Sequence, residues 1–187
     1  MKTAKLWTRN FRLVILASAM GTIGAIAGSF ALAFLVFDET STLASALIVA
    51  IQLLPYLLLP VLIAPLMDRL PRKAFLVAGD LANAALLAGM GLWLMAFDFS
   101  YVGYLALSLL LACLGAVDEL AFTSIYPELI PEGAEEKGYA VSSMLYPILK
   151  VVMTPLAAVL LDTLGVAWIL IAQSVFSLAA AATESLI

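Results

Sequence analysis

The sequence predicts an all-α membrane protein of six transmembrane helices, and three observations carry that expectation. The 187 residues are 65% hydrophobic and only 12% charged, with a mean hydropathy of +1.13, far too apolar for a water-facing surface. Six apolar stretches approach or exceed the roughly 20 residues that a helix needs to cross a bilayer: about 13–37, 42–67, 74–97, 101–126, 138–161 and 164–187. The cations between them are confined to every second connection. Alternating short strands are absent and Ala, Leu and Gly abound, which favours helices over a barrel.

Span 1 follows a basic tail, an arrangement that imitates a secretory signal. Its apolar run is longer than a signal core, so it is expected to be retained. Ala17, Gly21, Gly24 and Gly28 give it a smooth face for close helix approach. Arg9 and Arg12 are placed to meet lipid phosphate. Span 2 holds Pro55, Pro60 and Pro65, each removing a backbone donor, so a bent helix is expected. The turn Asp68–Lys73 is basic, and span 3 begins at once. Span 4 contains the single cysteine, Cys113, expected to be a small packing residue, and ends in the connection Pro127–Lys137. Span 5 carries Lys150 and Pro155; the short connection Asp162–Thr163 leads into span 6. No hydrophilic segment is long enough for a second, soluble domain.

Lys2, Lys5, Arg9, Arg12, Arg69, Arg72, Lys73 and Lys137 fall in the tail, the second connection or the fourth. The first, third and fifth connections carry Asp38, Glu39, Asp98 and Asp162 and no cation. By the positive-inside rule both termini are cytoplasmic. Trp7, Tyr126 and Tyr139 then lie near cytoplasmic ends, and Trp93, Tyr101, Tyr104 and Trp168 near outer ends, where amphipathic rings prefer the interface. Laid on itself, the chain places Ala64-Pro65-Leu66-Met67-Asp68-Arg69-Leu70-Pro71 over Ala158-Val159-Leu160-Leu161-Asp162-Thr163-Leu164-Gly165. Ala, Leu, Asp and Leu coincide, which divides a single membrane domain into repeats 1–97 and 98–187. The second copy lacks the basic residues, as expected if its turn lies on the opposite membrane face.

Ala64–Leu76 reads A-P-L-M-D-R-L-P-R-K-A-F-L. It resembles the loop between helices 2 and 3 of the major facilitator superfamily, whose pattern is G-x-x-x-D-R-x-G-R-[KR]-x-x-L. Asp68, Arg69, Arg72, Lys73 and Leu76 match, while Ala64 and Pro71 stand at the glycine positions. Thr154-Pro155-Leu156-Ala157-Ala158-Val159 is similar to a weakened form of the G-P-x-x-G-G motif of superfamily exporters, keeping only Pro155. Thr8-Arg9-Asn10-Phe11-Arg12-Leu13 resembles the start of bacterial drug, macrolide and siderophore exporters. The resemblance implies a 3+3 inverted repeat forming the N-terminal half of the superfamily fold. It also implies ion- or proton-coupled export of a small amphipathic molecule by alternating access in the cell membrane. The expected partners are lipid, a small-molecule substrate and a second six-helix half, in cis, in trans or as a homodimer. Asp68 and its neighbours would act as a gating motif against that second half. A non-transporting membrane module, or a truncated fragment, is the alternative.

Charged groups within the spans are costly, at about 2.5–3.5 kcal/mol each on insertion scales. Lys150 lies mid-membrane, and Asp118 and Glu119 lie roughly 12 Å from the end of span 4, counted at 1.5 Å per residue. A pair between Lys150 and one of these acids is expected. It either lines a central cavity and binds substrate or a coupling proton, or joins spans 4 and 5 as a static ion pair. Only one acid is expected to face Lys150, because neighbouring helical residues diverge by about 100°. Gln52, Asn83 and Gln173 are candidate cavity contacts or interhelical hydrogen bonds. Asp80 is expected to counter Arg69, Arg72 or Lys73, and Glu184 lies near the cytoplasmic end of span 6. Lacking histidine and any phosphate-binding glycine loop, the sequence points away from enzymes, ATP-driven pumps, metal sites and other cofactors. Nothing in it points to nucleic acid.

Overall fold

The computed structural model describes residues 6–67, 69 and 71–187. Asp68 and Leu70, along with Lys2 and Lys5, lie outside the described residues. Six helices follow in order: α1 (Arg9–Glu39), α2 (Thr42–Met67), α3 (Arg72–Ala96), α4 (Tyr101–Leu129), α5 (Glu135–Leu164) and α6 (Val166–Glu184). All six are long and apolar enough to cross a membrane, and no strand occurs among the described residues.

Three of the six helices, α1, α2 and α4, start where a hydroxyl side chain supplies a missing partner. The Thr8 hydroxyl accepts from the Phe11 amide at 3.3 Å, Ser41 from Ala44 at 3.3 Å and Ser100 from Gly103 at 3.4 Å, each satisfying a first-turn N–H that the helix leaves unpaired. Glu135 and Glu136 occupy the first turn of α5, where the helix dipole favours negative charge. The expected break at Asp162–Thr163 is corrected. Thr163 donates its hydroxyl to the Val159 carbonyl at 2.9 Å and the helix runs on to Leu164. Gly165 makes the corner at φ 80°, a left-handed conformation that a side chain would oppose. Pro127 and Lys137 likewise belong to α4 and α5 rather than to their connection. Backbone hydrogen bonding continues past the last apolar residue, so a span read from hydropathy comes out shorter than its helix.

The neighbour relations have an internal symmetry. α1 packs on α6 and α5, α4 packs on α3 and α2, and α3 packs on α6. Exchanging α1 with α4, α2 with α5 and α3 with α6 reproduces the same set. The seam is closest where Gly24 and Gly28 of α1 meet Gln173 and Phe176 of α6, and where Gly91 of α3 meets Ile171. Small residues there let backbones approach without a hydrophobic drive from the lipid. Gly21, expected on the same face of α1, has nothing close to it.

At the end bearing the basic connections, Phe11, Val14, Tyr126, Ile130 and Ala134 form one core cluster. The Tyr126 hydroxyl donates to the Gly138 carbonyl at 2.7 Å, joining the end of α4 to the start of α5. At the opposite end Val36, Ile48, Leu87, Tyr104 and Leu170 pack together. Tyr104 is buried there rather than at an interface, while Trp93 and Trp168 remain exposed.

Candidate functional site

The polar residues that α1, α2, α3, α4 and α6 contribute to their interior converge on a cavity of about 480 Å³. Gln52 and Tyr56 enter from α2, one turn apart on the same helix face. Asn83 enters from α3, Ser108 and Gly115 from α4, and Gln173 from α6. Thus Gln52, Asn83 and Gln173, widely spaced in sequence, share one wall. Asn83 also makes an interhelical bond, its amide nitrogen donating to the Ser177 hydroxyl at 3.4 Å. Gln173 presses its side-chain oxygen against Gly28, buried and without a hydrogen-bond partner among the described residues. Every side chain lining this cavity is uncharged.

A second cleft, of about 440 Å³, is lined by Tyr56, Pro60, Ala116, Glu119, Leu120 and Thr123. Tyr56 belongs to both walls and separates them. Its hydroxyl lies over Gly115, where an added methyl group would come within 2.5 Å of it. The sequence reading missed Tyr56. The available signal was its position four residues after Gln52 in a span otherwise short of polar groups.

Asp118 and Glu119 diverge as neighbouring helical residues must. Glu119 is exposed to the second cleft. Asp118 turns toward α3, its Oδ1 buried near Gly79 without a hydrogen-bond partner among the described residues. There it lies within electrostatic reach of Asp80, and Glu184 of α6 lies within reach of both. Glu184 is 6% exposed, and its Oε2 also lacks a partner among the described residues. Three carboxyl groups from three helices therefore lie within electrostatic reach of one another around α3, which packs on both α4 and α6.

Two expectations are corrected here. The pair between Lys150 and Asp118 or Glu119 is not formed. α5 packs on α1 while α4 packs on α2 and α3, so equal depth in the membrane does not make the residues neighbours. Lys150 is exposed, with its ammonium 5.5 Å from the centre of the Tyr146 ring, an arrangement that favours a cation. Nor does Asp80 counter the basic turn. Arg72 instead pairs with Glu128 and donates to the Ser124 carbonyl at 3.1 Å, both on α4. Lys73 donates to the Ser185 carbonyl at 2.8 Å, just past α6. Asp80 lies two turns further along α3, facing the other acids. The Arg72–Glu128 bridge is the one ion pair among the described residues. Arg69 sits exposed in the turn, its amide donating to the Leu66 carbonyl at 3.1 Å; Asp68 lies outside the described residues.

The arrangement has two parts, an uncharged, hydrogen-bonding chamber and a separate group of carboxyls, with Tyr56 between the chamber and the cleft that Glu119 lines. The family model described as transmembrane secretion effector, within the major facilitator superfamily, matches residues 2–183. No curated protein and no solved structure matches the chain.

Proposed function

Because the chain belongs to the transmembrane secretion effector family of the major facilitator superfamily, we propose that it moves a small amphipathic molecule out across the cell membrane by alternating access. The family points to a transporter rather than an enzyme. The observation that carries the reading is the chamber of about 480 Å³ at the meeting of five membrane helices, a size suited to a small organic molecule.

The remaining parts fit round that chamber. Residues 1–97 and 98–187 act as two inverted three-helix repeats, a reading supported by the exchange symmetry of the helix contacts. Both termini face the cytoplasm, as the confinement of cations to alternate connections supports. Asp118 and Glu119 carry the coupling proton, with Gln52 on the substrate side. Asp68, Arg69, Arg72 and Lys73 form the gating turn, with Asp80 behind it among the carboxyls around α3. Lys150 faces away from the chamber and serves the surface of α5. The exposed apolar faces of α2 and α5 meet lipid and a second six-helix half, whether in cis, in trans or from a second copy.

Proteoliposomes test the proposal. The chain, reconstituted alone and with a second half, is given a pH gradient, and movement of radiolabelled chloramphenicol and tetraphenylphosphonium is followed. Gradient-driven flux of chloramphenicol is expected, abolished by Ser29→Trp in the chamber wall and uncoupled from the gradient by Asp118→Asn, with tetraphenylphosphonium as the charged comparison. Flux indifferent to Ser29→Trp would remove the chamber from the path. No flux in any reconstitution would leave a non-transporting membrane module.

A further inference from the structure

We infer that the chamber selects an uncharged ligand, a largely apolar molecule bearing amide or hydroxyl groups, and rejects lipophilic cations and anions. This rests on the transport reading only for the fate of the ligand after it binds.

The argument starts from where the charges are. Among the described residues, no ionisable carboxylate or ammonium lines the chamber. Asp80, Asp118 and Glu184 lie within electrostatic reach of one another around α3. Glu119 opens on the cleft beyond Tyr56, and Lys150 lies over Tyr146 on the outer face of α5. A charged ligand entering the chamber would give up part of its hydration and meet no charged side chain in the wall itself, Asp118 and Glu119 acting only from beyond Tyr56, an unfavourable form of burial. A neutral donor or acceptor loses far less, and the wall can replace what it loses.

The wall's polar groups have the matching chemistry. Gln52 and Gln173 each offer an amide carbonyl and an amide N–H₂, Asn83 offers the same beyond its bond to Ser177, and Tyr56 adds a hydroxyl. The orphaned side-chain oxygen of Gln173 is an acceptor already removed from water, so a ligand donor that turned this amide would relieve an existing cost. Between these groups the wall is mostly Leu, Ile, Val and Ala, with Phe37, Tyr104 and three serines, which holds the apolar body of the ligand with little direction. Amides can separate a ligand that bonds them from one that cannot, because an unpaired buried amide penalises the poor match.

The test is equilibrium binding to the full chain in lipid nanodiscs, with empty nanodiscs subtracted. Radiolabelled chloramphenicol serves as the uncharged amide-and-hydroxyl probe, and tetraphenylphosphonium as the apolar cation. Saturable binding is expected for chloramphenicol and none for tetraphenylphosphonium. Gln52→Leu should weaken chloramphenicol binding at least tenfold. Gln52→Glu, which places a carboxylate in the wall, should create saturable tetraphenylphosphonium binding. Ser29→Trp should abolish both, in protein that remains monodisperse. The inference is overturned if the wild-type chain binds tetraphenylphosphonium as tightly as chloramphenicol, if chloramphenicol shows no saturable binding, or if Gln52→Leu leaves it unchanged. Binding needs no gradient, so the two readings fail separately. Selective binding without flux sinks transport alone, and cation-selective flux sinks the uncharged-ligand reading alone.

Discussion

α2 and α6 are both apolar enough to cross a membrane, yet they use their side chains in opposite ways. α6 lies between α1 and α3 and buries Ser174, Ser177, Ala180 and Ala181 alongside Ile169 and Leu170. α2 is longer, more apolar and carries three prolines, but buries only Ile48, Pro55 and Met67. Its Leu57, Leu58, Val61 and Leu62 all point outward. The comparison teaches that hydrophobicity does not mark the interior of this unit. Lipid is as apolar as leucine, so the inside is chosen by closeness of packing and by hydrogen bonding, and small or weakly polar residues mark it. α5, the symmetry counterpart of α2, repeats the pattern: two internal prolines, with only Gly138 and Ala157 buried.

The sharpest way to break this comparison is to thicken the seam. A Cβ at Gly91 would lie 2.9 Å from the Ala167 carbonyl oxygen and 2.8 Å from Ile171, and the backbone oxygen cannot swing aside. Gly91→Val is expected to destabilise the protein by about 2–3 kcal/mol, the upper part of the overpacking range. Gly89→Val on the same helix, where nothing lies within 4 Å, should stay within about 0.5 kcal/mol. Unfolding in mixed micelles of rising SDS content measures both. Equal losses would mean that α3 and α6 do not meet as described.

A smaller effect is expected at Gly28, whose nearest obstacle is the movable end of Gln173. Gly28→Ala should cost about 1–2 kcal/mol, and Gly21→Ala nothing or a slight gain from helix propensity. Pairing Gly28→Ala with Gln173→Ala should restore most of the loss, since the two sites share one obstruction. The same unfolding titration reads all three variants. Smaller still is Arg72→Ala, which frees the start of α3 from the end of α4. The Glu128 side chain is 64% exposed, so the loss should be about 0.5–1 kcal/mol and should shrink as salt is raised.

The same contrast explains what the sequence made legible. Six spans could be read from composition, because membrane length and apolarity are local properties of the chain. Their ends could not be fixed as well, because a polar residue such as Asp162 interrupts hydropathy without interrupting backbone hydrogen bonds. Gln52, Asn83 and Gln173 stood out one at a time as amides in apolar runs, but their convergence depends on which helices are neighbours. The expected pair between Lys150 and Asp118 or Glu119 failed for that reason: depth can be counted along a helix, whereas adjacency is set by packing. Likewise the acceptors for Arg72 and Lys73, on α4 and just beyond α6, share no sequence pattern with the basic turn.

The smallest expected effect on the isolated unit lies on the exposed face of α2. Leu57 and Val61 are 70% and 75% exposed and one turn apart. Their truncation removes little contact within the chain, so Leu57→Ala with Val61→Ala should change unfolding by less than about 0.5 kcal/mol. If that face meets only lipid, flux should also be unchanged. If it seats a second six-helix half, association should weaken while the unit itself stays intact. Crosslinking yield between halves and the unfolding titration therefore separate the cases: a stable unit with reduced crosslinking makes α2 an interface. A unit destabilised by more than about 2 kcal/mol, as in a large-to-small core substitution, would mean that α2 is as much a part of the packed interior as α6. The contrast between the two helices would then fail.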